Sequence, residues 1–593
     1  MSVPKLRILL PLAALLLAAC ASQPAGKMTA AERADRIYRE YFQAQLELNP
    51  IQASAIGDDR YNDRFEVSIS PEWRERSLET DKEFLRRISE IAPDELEGQD
   101  RLSYEIFVHD LERSIEAVQF PSHLLPLNQF YSTPNFFAQL GSGSSLHPFR
   151  KARDYDDFLK RVDGFVAWVD QAIVNMNEGI AKGYTQPRVL MERTIPQLEA
   201  HIVSNPEESI FWKPIANMPE GISAADRERL TREYRAAITG KLVPAYAKLR
   251  DYVRDTYIPA ARTTHGMWDL PDGEAWYAFR VEGTTTTDLT PDEIHQIGLD
   301  EVARIHKEMR DVMRKTGFKG DLKEFFRYMM SDPRFIAASR EELLAGFEAV
   351  RPRIEPHLGK LFDVMPKADF EIRAVEEFRE RSASAASYMR GTPDGSRPGV
   401  FYVNTYDLTA RPTWATESLF LHEAAPGHHF QIAIQQELED LPDFRKFGGY
   451  TAFIEGWGLY AETLGEDLGL YEDPYQVFGK LNAELWRAIR LVADTGLHHK
   501  RWTREQVLEY MYANSAVGEA RAVSETERFM AIPSQALAYK IGQLKLLELR
   551  ERAEAQLGEK FDIREFHNQV LLDGALPLDV LEAKIDRWIE QKL

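Results

Sequence analysis

The chain has 593 residues, 44% of them hydrophobic and 28% charged, which is ordinary for a globular protein and long enough for several domains or one large body. Its net charge of −21, with no basic stripe to offset it, excludes nucleic acid as an expected partner. Cys20 is the only cysteine, so the chain beyond it has no thiol for a disulfide, a thiolate metal site or a cysteine nucleophile.

The N-terminus reads as a targeting segment. Lys5 and Arg7 precede an apolar run from Ile8 to Ala19, too short for a spanning helix of a folded protein. The run ends Leu17-Ala-Ala-Cys20, which looks like a bacterial lipobox. Residues 1–20 are therefore expected to be a lipoprotein signal peptide, Cys20 the lipidated residue and 21–27 a tether. Ala21 after the cysteine fits sorting to the outer membrane of a Gram-negative cell. The expected location is the periplasmic side of that membrane, with the lipid as the only membrane contact.

Helical periodicity dominates the rest of the chain. Apolar residues recur at three-to-four spacing over 29–48, 72–90, 96–119, 155–182, 224–256, 290–316, 340–363, 474–496 and 535–557. Strand-like stretches are few: Trp276–Val281, Phe370–Val375 and Val400–Tyr406. Loops rich in Pro, Gly and Ser lie near 120–150, 258–275 and 391–399. No repeat of fixed period and no low-complexity tract is present. The expected fold is mainly α, with an N-terminal helical region over 28–285 and a C-terminal catalytic region over 286–593. Gly141-Ser-Gly-Ser-Ser145 lacks the Gly-x-Ser-x-Gly elbow of serine hydrolases.

The most informative stretch is Leu421-His-Glu-Ala-Ala-Pro-Gly-His-His-Phe-Gln431. Without Pro426 and Gly427 it reads His-Glu-Ala-Ala-His, the HExxH helix of zinc hydrolases, in which two imidazoles one turn apart reach one metal. Here His422 and His428 are six apart, or ~600° of ideal helix, and face different ways. Pro426 has no N–H, and Gly427 tolerates most backbone angles. A bulge at this pair is expected to return His428 to the i+4 place. His429 lies ~10 Å along the axis from His422 and serves only if the bulge takes three residues, so His428 is preferred.

A third ligand is expected 27 residues on, at Glu455 in Tyr450-Thr-Ala-Phe-Ile-Glu-Gly-Trp-Gly-Leu-Tyr-Ala-Glu462. A carboxylate among those aromatic and aliphatic neighbours is costly unless paired or bound to metal. Glu462, seven residues later on nearly the same face, is placed to hold a ligand histidine from behind.

These strings resemble the bacterial domain-of-unknown-function family numbered 885, whose hallmarks look like HEAxPGHH and EGWxLYAE. Further likeness lies in Arg490-Leu-Val-Ala-Asp-Thr-Gly-Leu-His498 and in Pro533-Ser-Gln-Ala-Leu-Ala-Tyr539-Lys-Ile-Gly542, with Ser534 where the family has Gly. The family looks like a distant relative of helical zinc peptidases such as neurolysin and carboxypeptidase Taq. The resemblance implies a helical zinc-peptidase-like body, a small β-sheet beside the metal helix, and peptide hydrolysis.

On this reading His422, His428 and Glu455 bind Zn2+, which lowers the pKa of its water, and Glu423 takes the proton and passes it to the leaving amine. His498 is either an oxyanion donor, as the family-like string suggests, or a histidine complementing its helix dipole. Tyr539 is either a second donor or a packed ring. Tyr402 and Asn404 belong to a strand that either pairs with extended substrate or only completes a small sheet. Arg490, Arg521 and Arg528 are candidates to hold a substrate carboxylate, with a helix-surface ion pair as the plainer role for each. A metal-dependent amidase on cell-wall-type substrates and a non-catalytic peptide-binding lipoprotein remain the alternatives. These residues set neither the oligomeric state nor the choice between endo- and exopeptidase.

Overall fold

The computed structural model describes residues 28–375, 380, 384–391 and 398–593. The expected signal peptide, Cys20 and the tether over 21–27 lie outside the described residues, as does much of the 391–399 loop.

The fold is mainly α with one three-stranded sheet. Local chemistry sets many helix ends. Thr29 and Thr290 form reciprocal capping boxes with Glu32 and Glu293, starting the helices Ala30–Leu48 and Pro291–Lys315. The latter buries Ile294, Val302, Ile305, Met309 and Val312, a stripe at three-to-four spacing that packs on the long helix Pro474–His498. Among the described residues no helix is long and apolar enough to cross a membrane.

Trp276–Val281, expected as a strand, lies inside the helix Gly273–Thr285. Its Trp, Tyr and Val mimic a strand in sequence, yet Trp276, Tyr277 and Val281 share one buried helix face. The region 224–256 is a rod in which π-turns at Ile238–Leu242 and Val253–Tyr257 interrupt the α-helix. The region 340–363 splits into Arg340–Glu348 and Arg351–Leu361.

In the sheet, β1 (Phe370–Ala374) runs parallel to β3 (Gly399–Val403), and β2 (Ala386–Met389) runs antiparallel to β3 from the other side. Phe401 and Val403 face the principal core, while Val400 and Tyr402 turn to a small cluster with Val375. β3 is therefore the central strand. Both its edges are taken, and it cannot pair with a substrate strand, contrary to that reading of Phe401–Tyr406. Its neighbour β2 is the edge on the side of the helix Thr416–Glu423.

One apolar core has its buried members between Leu127 and Ala261, with Ile51, Phe65, Val67 and Ile69 packed against it. The principal core crosses the expected 285/286 boundary, packing Leu102, Ile106, Trp276 and Tyr277 with Phe420, Phe430 and Trp457. The segment Leu421–Gln431 thus stands on a base supplied by both halves of the chain.

Candidate metal centre

The helix Thr416–Glu423 carries His422 and stops there. Ala424 leaves helical angles (φ −102, ψ −112), the Ala425–Pro426 peptide is cis, and a new helix, His428–Glu437, begins after Gly427. The expected bulge within one helix is instead a break between two. Pro426 has no N–H to continue the ladder, and its carbonyl accepts a hydrogen bond from Trp457 Nε1 at 2.8 Å. Trp457 sits on the buried helix Thr451–Ala461, so the segment that carries Glu455 also holds the turn between the histidines.

The break brings His422 and His428 together, with ring centroids 4.7 Å apart and planes at 80°. Glu455 Oε2 lies 3.7 Å from His422 Nε2 and 3.5 Å from His428 Nε2. Both distances are long for hydrogen bonds. They are close to the edge of a tetrahedron with bonds of about 2.1 Å, which is about 3.4 Å. Three converging N, N and O donors with this spacing fit a divalent cation, and they are the one such group among the described residues. Side-chain exposure rises from 4% at His422 through 11% at His428 to 21% at Glu455, so the group opens to solvent on the carboxylate side.

Second contacts orient the ligands. Glu462 Oε1 accepts from His422 Nδ1 at 2.9 Å, which leaves Nε2 for the centre. Arg487 Nη2 lies 3.9 Å from the same Glu462 oxygen, and Tyr471 Oη donates to the Glu462 carbonyl. Gly458 is required by closeness, since a Cβ there would lie 2.9 Å from His422 Cε1. Burial favours a neutral His422, but Glu455 and Glu462 outweigh it and raise the ring to about 9. Glu455 is likewise held well below the usual carboxylate range, because both histidines outweigh its desolvation. Glu423 is 8% exposed and forms no ion pair or hydrogen bond through its side chain with a described residue.

His429 faces away. Its Nδ1 meets the Tyr388 hydroxyl at 2.9 Å, its ring packs on Phe370, and burial lowers it to about 4. It joins the helix His428–Glu437 to the sheet.

His498 is corrected. Its ring is fully buried, Nδ1 accepts from the Met267 N–H at 3.0 Å, and Nε2 donates to the Phe529 carbonyl at 2.9 Å. Neither nitrogen is left for an oxyanion. Burial lowers this ring to about 3, whereas in the unfolded chain it titrates near 6.5. Between those values the unfolded state binds the extra proton. The stability from a neutral His498 is thus complete above pH about 6.5 and is lost as pH falls toward 3, by up to about 1.4 kcal/mol per pH unit. Urea unfolding of wild type and His498→Gln at pH 7 and pH 5 checks this: the wild type loses more on acidification than the variant.

Asn404 is also structural. Its Nδ2 donates to the Glu380 carbonyl, its Oδ1 accepts from Tyr406 N–H, and its carbonyl accepts from Arg411. Tyr402 packs on the far face of the sheet. Tyr539, by contrast, lies at the start of the helix Ala538–Leu557, which packs on the helix carrying Glu455. Arg490 stacks on its ring at 4.7 Å and Arg487 at 6.0 Å, and its hydroxyl has no hydrogen-bond partner among the described residues. Arg490 is clamped to Glu525 at 2.8 Å, and Arg528 reaches Gln535 and the same Glu525. Sequence reasoning missed Arg487 and Glu525. The signal for Arg487 was its place one turn before Arg490 on the same helix.

Ser534, where the resemblance expects Gly, has φ +72, in the left-handed region that Gly enters most freely. Its N–H donates to Asp494, and its hydroxyl meets Thr284 at 2.7 Å, so local hydrogen bonds hold the conformation.

No curated protein matches the chain. A crystal structure of a protein from Colwellia psychrerythraea, described as a candidate lipoprotein, is 28% identical, with a TM-score of 0.87 over 95% of this chain and 100% of that one. Another from Shewanella oneidensis, described as a candidate lipoprotein of unknown function, is 17% identical, with a TM-score of 0.73 over 94% of this chain and 99% of that one, and shares the fold. The profile of the family described as "Bacterial protein of unknown function (DUF885)" matches residues 50–585, nearly the whole chain, and the protein belongs to that family.

Proposed function

We propose that the protein is a metal-dependent hydrolase that cleaves peptides. The observation that carries this reading is the convergence of His422 Nε2, His428 Nε2 and Glu455 Oε2, with the buried Glu423 following His422 in the chain and forming no ion pair or hydrogen bond through its side chain with a described residue. A structural metal site has no need of such a carboxylate. The N, N, O donor set suits zinc, and a bound zinc ion would supply Lewis acidity and a more acidic water.

The chain's own residues do the rest. Glu462 fixes the His422 tautomer and ring plane. Glu423 accepts the proton of the attacking water and returns it to the leaving amine. The Tyr539 hydroxyl is the donor available to a developing oxyanion. The solvent opening beside Glu455 admits substrate. The family and fold likeness leaves the reaction open, and the kinship with helical zinc peptidases is inferred from these residues. The Leu17–Cys20 string, together with the description of the Colwellia protein, supports a lipid-anchored protein, and Ala21 after the cysteine is the ground for placing it at the outer membrane.

The test is Glu423→Gln, assayed with the wild type against a mixed peptide library and against cell-wall fragments. Peptide cleavage is expected to fall by about 10²- to 10⁴-fold with zinc content unchanged. Full activity in the variant would remove Glu423 as the base. Cleavage of cell-wall amides alone would replace the peptidase by the amidase.

A further inference from the structure

The wall beside the metal centre concentrates positive charge in a chain whose net charge is −21. Arg487 and Arg490 project from the helix Pro474–His498, one turn apart, onto the Tyr539 ring. Arg521 and Arg528 come from the helix Glu519–Ala531. Among the described residues these four guanidiniums meet two carboxylates, Glu525 and Glu462, and Glu462 is already bonded to His422.

The four are not equivalent. Arg490 spends its fork on Glu525, with Nε at 3.1 Å and Nη2 at 2.8 Å. Arg528 donates to Gln535 and lies 3.5 Å from Glu525. Arg487 is turned toward Glu462. Arg521 forms no ion pair or hydrogen bond with a described side chain, and its guanidinium carbon lies over the Trp486 ring, 4.7 Å from the centroid. Its side chain is open to solvent, yet the surrounding protein favours the neutral form and, with Arg490, Arg487 and Arg411 nearby, lowers it to about 10. A guanidinium over an aromatic ring, with no hydrogen bond to a described side chain, is able to receive a planar anion in two parallel hydrogen bonds.

We propose that Arg521, backed by Arg487 and Arg490, forms a carboxylate-binding subsite beside the metal centre, and that the carboxylate is the free C-terminus of a peptide. The proposal rests on the hydrolase reading for the bond to be cut. It narrows that reading to removal of residues from the C-terminal end. Arg490 and Arg528 are positioning residues: they hold Glu525 and so keep that carboxylate from closing on Arg521.

The test is calorimetric titration of chelator-treated, metal-free protein, in which turnover cannot interfere. Three N-acetylated peptides of one apolar sequence are compared: the free acid, its C-terminal amide, and an amide with Glu as the last residue. The free acid is expected to bind roughly 10- to 100-fold more tightly than the plain amide. That preference should fall below about threefold in Arg521→Gln and return in part in Arg521→Lys, which keeps the charge without the fork. Equal binding of acid and amide, no binding of either, or a preference that survives Arg521→Gln overturns the subsite. A gain by the Glu-bearing amide and not by the free acid overturns the chain-end assignment and moves the carboxylate to a side chain. A protein that shows the preference yet holds no metal and cuts nothing keeps the subsite and loses the hydrolase reading.

Discussion

Replacing His428 with alanine is expected to strip the protein of its metal, while His429→Ala leaves about one ion per chain. The two histidines are neighbours in sequence, but the helix that starts at His428 turns them to different faces, about 100° apart. His428 Nε2 is 3.5 Å from Glu455 Oε2, whereas His429 Nδ1 is bonded to the Tyr388 hydroxyl. A three-ligand centre that loses one imidazole keeps two donors and gains a void. Loss of a residue that merely orients a ligand already costs about 10- to 100-fold in affinity, and loss of a ligand costs more. Zinc content by elemental mass spectrometry after dialysis against a weak chelator separates the two variants. Zinc retained in His428→Ala and lost in His429→Ala would move the second ligand by one residue and contradict the geometry. No zinc in reconstituted wild type would remove the centre altogether and favour a peptide-binding lipoprotein. His429→Ala should instead loosen the sheet, because it deletes the contact with Tyr388 and Phe370.

The centre was legible in the sequence because its chemistry is local. His422 and Glu423, the Pro-Gly pair, and Glu455 with Glu462 at seven-residue spacing each reflect the groups that one or two turns of helix can present. The mainly α fold was legible for the same reason, since amphipathic stripes such as Ile294 to Val312 repeat on a helical period. Residues whose roles depend on distant partners were not legible. His498 sits in a family-like string near the end of a long helix, and only the fold shows that Met267 and Phe529 use both its nitrogens. Asn404 looked exposed to substrate because its partners, Glu380 and Arg411, arrive from separate loops. The four-residue strand β2 was too short to register as a pattern, and without it β3 passed for an edge. The Arg521 wall falls between these cases. The arginines could be named one by one, but which of them is already occupied depends on Glu525 and on the packing of two helices.

Gly427→Ala is expected to damage both the fold and the centre. The demand at Gly427 is for space. A Cβ would lie 2.0 Å from the His422 carbonyl oxygen and 2.2 Å from that of Leu421. Both are backbone atoms of the preceding helix and cannot swing aside as a flexible side chain would. Either the last turn of that helix gives way or His428 is pushed off, and both movements separate the nitrogens that face Glu455. The Trp457 hydrogen bond to Pro426 opposes relaxation on the other side of the turn. A destabilisation of about 3 kcal/mol is expected, together with at least about a 100-fold loss of metal affinity, because overpacking against rigid neighbours carries a cost of that order. Gly346→Ala is the control. It lies within the helix Arg340–Glu348 with nothing inside 4 Å of the added carbon, so it should be neutral or slightly stabilising. Denaturant unfolding and zinc titration on the two variants read both effects. A Gly427→Ala protein with wild-type stability and zinc affinity would mean that the break between the two histidine helices is loose, and the convergence of His422 and His428 would need another cause.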